Sequence, residues 1–169
     1  MGRHKNQKSR RVQANPQTQA SRADRYDLYE RSVQGCDADV EFFSETYEEI
    51  RGRAAMSFRE DFCGTAKLSA AWCRSDEGRT AVGVDLDGPT LEIGASRNLT
   101  VDVADRVTLF QQDVRDEAES KADVTCAMNF SYFVFKERVT LLEYLKSARE
   151  GLAEVKLDLE AVVALPPEV

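Results

Sequence analysis

From Ala54 to Leu152 short apolar segments alternate with amphipathic ones, a pattern that restricts the chain to an α/β fold built on a parallel sheet. Ala54 to Phe58 predicts a first strand, Thr65 to Arg74 a helix, Thr80 to Val84 a second strand and Pro89 to Asn98 a second helix. Val107 to Phe110 and Asp123 to Met128 supply two more strands. Glu137 to Leu152 predicts a long helix, buried through Leu142, Leu145, Ala148 and Leu152. Two helices come before the sheet. Asp24 to Val33 is closed by Gln34-Gly35, the glycine tolerating a positive φ. The next helix starts from an Asp37 cap, presents Val40, Phe43, Tyr47 and Ile50 on one face and stops at Gly52.

These elements divide the chain into a basic tail (1–23), an N-terminal helical segment (24–53), a core (54–152) and an atypical C-terminal stretch (153–169). The tail is rich in Gln, Asn, Lys and Arg and poor in large apolar residues, so its composition predicts disorder. The whole chain carries a net charge of -7. That balance opposes a general affinity for nucleic acid or anionic membrane and leaves only the basic tail as an RNA-contacting or targeting arm. There is no apolar run of the roughly 18 residues that a spanning helix needs, and the first residues lack the apolar middle of a secretory signal, which predicts a cytoplasmic protein. Cys36, Cys63, Cys73 and Cys126 are scattered, without a C-x-x-C pair, and support neither a zinc site nor a disulfide framework.

Three segments carry chemistry. Arg59-Glu60-Asp61-Phe62-Cys63-Gly64-Thr65-Ala66-Lys67-Leu68 joins the first strand to its helix, and ligands of open α/β sheets sit beyond the carboxyl ends of the strands. Gly64 lets a ligand approach the backbone, and the helix that follows offers unpaired N–H groups. Glu60 and Asp61, placed in that turn, would repel a pyrophosphate and attract a sulfonium bearing an α-amino group. The same residues also suit a tight turn with no ligand. Roughly twenty residues on, Asp85 ends the second strand, where an acid accepts from both hydroxyls of an adenosine ribose or caps a helix. Asp87 is the better cap, with Pro89 in the first helical turn. Asp113 ends the third strand; it can accept the exocyclic amine of adenine while the Val114 N–H donates to the ring, or serve as a turn aspartate.

Taken together these segments resemble class I, Rossmann-like S-adenosylmethionine-dependent methyltransferases. Glu60 to Ala66 is similar to their E-x-G-x-G-x-G motif, Val84-Asp85 to their ribose-binding acid and Gln112-Asp113-Val114 to their adenine-binding motif, in the family's order. The resemblance covers Arg25 to Leu152. It implies a Rossmann-like three-layer sandwich with a mostly parallel sheet, S-adenosylmethionine as cofactor and S-adenosylhomocysteine as product. The residues it assigns to the cofactor are Glu60, Asp61, Phe62, Cys63, Gly64, Thr65, Asp85, Leu86, Asp113, Val114 and Asn129. Phe62 and Ala66 stand where the motif has glycine, so a loop shaped differently, or less open, is expected. In the family the end of the fourth strand faces the transferred methyl group. Asn129 and Tyr132, in Asn129-Phe130-Ser131-Tyr132, loosely resemble the Asn-Pro-Pro-Tyr signature of amino-group methyltransferases and are the catalytic candidates; the alternative is that Phe130, Tyr132, Phe133 and Phe135 simply cover the cofactor.

Beyond Leu152 the family turns into a buried fifth strand, whereas Glu154 to Pro167 suits an edge strand or a helix equally. The sheet is therefore expected to be incomplete at its C-terminal side, through a truncated or frameshifted gene product or, less simply, through a minimal form completed by a partner. The expected activity is methyl transfer to an unidentified acceptor. The alternatives are a non-catalytic nucleoside-binding or regulatory module and an NAD-dependent oxidoreductase, the last opposed by the missing G-x-G-x-x-G turn.

Overall fold

The computed structural model describes residues 23–33 and 35–153. The basic tail and the segment after Ala153 lie outside these residues, as do the expectations attached to them. Two helices, α1 (Arg25–Val33) and α2 (Cys36–Arg51), precede a core of β1 (Ser57–Asp61), α3 (Lys67–Ser75), β2 (Thr80–Asp85), α4 (Gly88–Asn98), β3 (Val107–Gln111), β4 (Val124–Ala127), a 3₁₀ turn at Ser131–Val134 and α5 (Arg138–Glu150). The four strands form a parallel sheet in the order β3-β2-β1-β4. Chain direction thus reverses its lateral course at β1: β2 and β3 build to one side, β4 to the other. Such a switch leaves a crevice at the strand tips.

The two faces of β1 separate the layers. Phe58 and Glu60 point to α2 and α3, where Phe58 stacks on Trp72 with ring centroids 4.9 Å apart and Val40, Leu68 and Val107 complete the core. Arg59 and Asp61 point the other way, toward α5, beside an apolar cluster of Val84, Val114 and Tyr144. Helix α4 covers the first face at Cys63, Ala66 and Leu109 through Leu91. The result is a helix, sheet and helix sandwich, as the alternation predicts. Among the described residues β4 is the outermost strand on its side, with one isolated parallel bridge, Ala122 to Leu152, beyond it.

Several expectations are corrected. The first strand begins three residues later than predicted and runs through Arg59-Glu60-Asp61, because these polar residues find partners inside the fold. Gly35 has φ -85° and precedes α2 as its N-cap; Asp37 lies within the first helical turn and makes no cap bond. Gly52 does end α2 in the left-handed conformation, its N–H donating to Glu48 O. Ile50 is exposed, unlike Val40, Phe43 and Tyr47. Helix α5 buries Leu141, Tyr144, Ser147 and Ala148, not Leu142, Leu145 and Leu152, which face outward. Tyr144 is preferred inside because its ring packs on Phe62 and Phe135 while its hydroxyl meets a buried carboxylate. Asp87 caps α4 by accepting from the Thr90 N–H, with Pro89 in the first turn.

Candidate functional site

The register of the sheet brings the motif residues together. Asp61 pairs with Val84, and Asp85 with Gln111, so Phe62, Asp85 and the residues after Gln111 leave the sheet at one level. There Phe62, Asp85, Leu86, Asp113, Val114, Arg115, Val134 and Phe135 line a cavity of about 340 Å³. Its size falls within the ~300–1,000 Å³ of small-molecule sites. A larger cleft, of about 620 Å³, lies on the flank between α2 and α3. Its cations already serve the fold: Arg79 donates to Ser44, Ser75 and Ala55, and Arg74 to Asp102 and Asn98. The cavity at the strand tips is the one that the sheet topology favours.

The turn from β1 into α3 is held from several sides. The Cys63 N–H donates to Val84 O, and the Gly64 N–H to Asp85 Oδ2 at 2.8 Å. Asp85 Oδ1 accepts from the Asp87 N–H, so one carboxylate organises both the first and the second strand-to-helix turns. Thr65 donates its hydroxyl to Glu30 of α1 at 2.6 Å, and Asn98 of α4 donates to Glu30 and to Thr65 O. Helix α1 is thereby fixed over the strand tips. It also carries Tyr29, whose hydroxyl accepts from Asn129 Nδ2 at 3.4 Å.

Backbone strain collects here. Phe62, Ala66, Asn129 and Phe130 are the non-glycine residues with positive φ among those described, and all lie just beyond β1 or β4. For residues other than asparagine such conformations cost about 1–3 kcal/mol each and persist where surrounding structure enforces them, often at functional sites. Phe62 and Ala66 have φ of 58° and 52°, on either side of Gly64 at 54°. The loop therefore keeps a left-handed, glycine-like backbone at the motif's three glycine positions although two of them carry side chains. The sequence predicts a loop shaped differently or less open; at these three positions the backbone itself is not what differs.

Five of the residues assigned from sequence share the cavity: Phe62, Asp85, Leu86, Asp113 and Val114. Six do not line it. Glu60 and Asp61 lie within β1 and not in the turn, both buried, and their carboxylates serve the protein: Glu60 accepts from Ser69 N and Oγ, Asp61 from Arg59 and Tyr144. Burial raises Glu60 to about 7 against the pull of Ser69, and burial also pushes Asp61 up. Cys63 is buried between Ala66 and Leu91, and burial lifts its thiol far above the ordinary range. Gly64 donates to Asp85, Thr65 to Glu30 and Asn129 to Tyr29, so these three residues are tied to the elements around the cavity. Tyr132 and Phe135 pack against the apolar cluster of Val84, Val114 and Tyr144, whereas Phe130 and Phe133 are exposed.

Arg115 and Val134 are not among the residues singled out from sequence; Phe135 is, as cover over the cofactor, and it lines the cavity. Arg115 makes a two-pronged pair with Asp113, Nε to Oδ1 at 2.9 Å and Nη2 to Oδ2 at 2.6 Å, and holds that carboxyl below its usual range. Its adjacency in sequence was the available signal. Phe135 stacks obliquely on Phe62 across the cavity, a contact between distant segments with no local signature. Among the described residues no group of His, Cys, Asp or Glu is arranged to hold a metal ion, and no helix is long and apolar enough to cross a membrane.

No family profile and no curated protein matches the chain. Solved structures do. A sugar N-methyltransferase from Streptoalloteichus is similar over 89% of this chain and 56% of its own, with 22% identity and a TM-score of 0.61. DesVI of Streptomyces venezuelae is similar over 76% and 51%, with 23% identity and a TM-score of 0.61. An amino pentose methyltransferase from Micromonospora echinaspora, solved with S-adenosylmethionine bound, is similar over 83% and 55%, with 13% identity and a TM-score of 0.62. The chain has the Rossmann-like fold of these methyltransferases and spans about half their length.

Proposed function

We propose that this chain is the cofactor-binding part of an S-adenosylmethionine-dependent methyltransferase. The observation that carries the reading is the one cavity in which Phe62, Asp85, Leu86, Asp113 and Val114 meet at the strand tips. The residues suit an adenosine. Phe62, Val114 and Phe135 offer apolar faces to a base, and Asp85 and Asp113 offer acceptors to ribose hydroxyls and an exocyclic amine. A carboxylate has about four acceptor positions. Asp85 gives one to each of two backbone N–H groups, and Asp113 gives three to Arg115 and its backbone, so both retain capacity.

The cofactor, when bound, supplies a methyl group already activated by its sulfonium. The protein contributes orientation, an advantage of up to about 7–11 kcal/mol in favourable cases. Among the described residues there is no histidine, and the two cavity carboxylates are assigned to the cofactor while already accepting from backbone N–H groups and Arg115. The acceptor that fits is one whose attacking atom is nucleophilic without prior loss of a proton, as a neutral amine is. Asn129, in the left-handed region at φ 54° and bonded to Tyr29, is the candidate to orient it. The sugar N-methylation named for one structural neighbour supports nitrogen as the accepting atom.

Calorimetric titration tests the binding site. S-adenosylhomocysteine should bind and NAD should not, and Asp85→Ala should weaken the former about tenfold to a hundredfold, the worth of one charge-assisted hydrogen bond. Equal affinity for NAD would overturn the reading. Methyl transfer from labelled cofactor to a cell extract separates an enzyme from a module that binds without reacting.

A further inference from the structure

Behind the cavity lies a buried polar network that the proposed chemistry does not use. Arg59 and Asp61 lie on the side of β1 that faces α5, are 2% and 0% exposed, and pair through Nε and Oδ1 at 2.7 Å. The Tyr144 hydroxyl donates to the other oxygen of Asp61 at 3.1 Å. Arg59 Nη2 extends past this pair to donate to Val114 O at 3.2 Å. The Ser147 hydroxyl approaches the same carbonyl at 3.4 Å and Asp116 O at 3.0 Å. Two elements that are far apart in sequence, β1 and α5, therefore converge on a single backbone carbonyl, and it belongs to a residue of the cavity wall.

A charged pair in this place is costly. Well-packed apolar side chains of similar volume usually stabilise a core as well or better, so a buried ion pair is weak as a stabilising device and is better suited to fixing geometry. Val114 is where geometry counts. Its backbone N–H and the Asp113 carboxylate present a donor and an acceptor side by side. Adenine, with a ring-nitrogen acceptor beside an exocyclic amine donor, matches that order; hypoxanthine, with a ring N–H beside a carbonyl, opposes it at both positions. Rejection by mismatched polar groups is strong only if they cannot shift to accommodate the wrong partner.

We propose that Arg59, Asp61, Tyr144 and Ser147 are positioning residues that lock the Val114 backbone, and that this lock makes the pocket selective for adenine over hypoxanthine. The inference rests on the adenosine-binding reading above. The test uses the full chain and two probes, S-adenosylhomocysteine and its deaminated counterpart S-inosylhomocysteine. Tyr144→Phe and Ser147→Ala each delete one hydroxyl and keep the packing; Arg59→Met removes the centre of the network. The wild type should prefer the adenine compound by at least about a hundredfold, by analogy with other sites that reject on hydrogen bonding. Each hydroxyl variant should shrink that ratio about fivefold or more, and hydrogen exchange at the Val114 amide should quicken in the same variants. A merely structural role would weaken both probes alike and leave the ratio unchanged, which overturns the proposal even if Arg59→Met fails to fold. Wild-type protein that binds neither probe would instead sink the adenosine reading itself, and this inference with it.

Discussion

Gly94 of α4 lies directly against Thr65 of the β1–α3 turn: a Cβ built on it would sit 2.6 Å from the Thr65 carbonyl carbon. One helical turn on, Asn98 donates to the carbonyl oxygen of the same residue at 3.0 Å. Helix α4 thus supports the loop on which the strand-tip site depends. Alanine favours a helix by about 1 kcal/mol over glycine, so helix propensity alone predicts that Gly94→Ala stabilises. The contact predicts the opposite. Overpacking costs of about 1–3 kcal/mol should lower the melting temperature and weaken S-adenosylhomocysteine binding, both measurable on one preparation; a higher melting temperature would refute the contact.

Gly64 poses the contrasting case. Its φ is +54°, but the nearest atom to an added Cβ is Thr90 Cγ2 at 4.0 Å, so space is open and only the backbone conformation resists. Gly64→Ala should cost about 1–2 kcal/mol, the left-handed penalty. Gly64→Asn should cost less, since asparagine tolerates that region. Chemical denaturation of the two variants checks the order.

Glu60 makes stability depend on pH. Burial raises its folded pKa to about 7 from an ordinary 4.5. The folded state therefore holds a proton that the unfolded state has lost, and the stabilisation, on the order of 3 kcal/mol, is fully present below 4.5 and lost as pH rises through 7. Thermal melts should show falling stability between pH 5 and 8, and Glu60→Gln, neutral throughout, should flatten that fall. An unchanged slope in the variant would contradict the assignment.

Asp123 acts in the reverse sense. Its burial favours the neutral form, but Arg53, the Met56 and Ser57 N–H groups and the Tyr47 hydroxyl outweigh this and hold its carboxyl well below the usual range. Stability from this group is present above the ordinary carboxylate pKa of about 4 and is lost on acidification. Asp123→Ala leaves these donors without a partner and should cost about 2–4 kcal/mol, measured by denaturant unfolding near neutral pH.

Much of the fold was legible because the alternation of short strands and helices, the Asp87 cap with Pro89 and the Gly52 stop are local signals. The errors share a cause. Arg59, Glu60 and Asp61 read as a polar turn because their compensating partners, Ser69, Val114 and Tyr144, lie elsewhere in the chain. The inward face of α5 was set one residue off because Tyr144 counts as half-polar until a buried carboxylate receives its hydroxyl. At the site, Asp85 and Asp113 were visible as acids at strand ends. Arg115 and Phe135 became part of the cavity only through tertiary packing, and the left-handed backbone at Phe62 and Ala66 is imposed by surroundings that no local pattern of side chains reveals.

The central claim is that the strand-tip cavity accepts an adenosine through Asp85 and Asp113. Titration calorimetry of the full chain with S-adenosylhomocysteine tests it most directly, read beside Asp85→Ala. Saturable one-to-one binding that the substitution weakens about tenfold or more is the predicted result. No heat of binding in the wild type, or affinity indifferent to Asp85, would contradict the account.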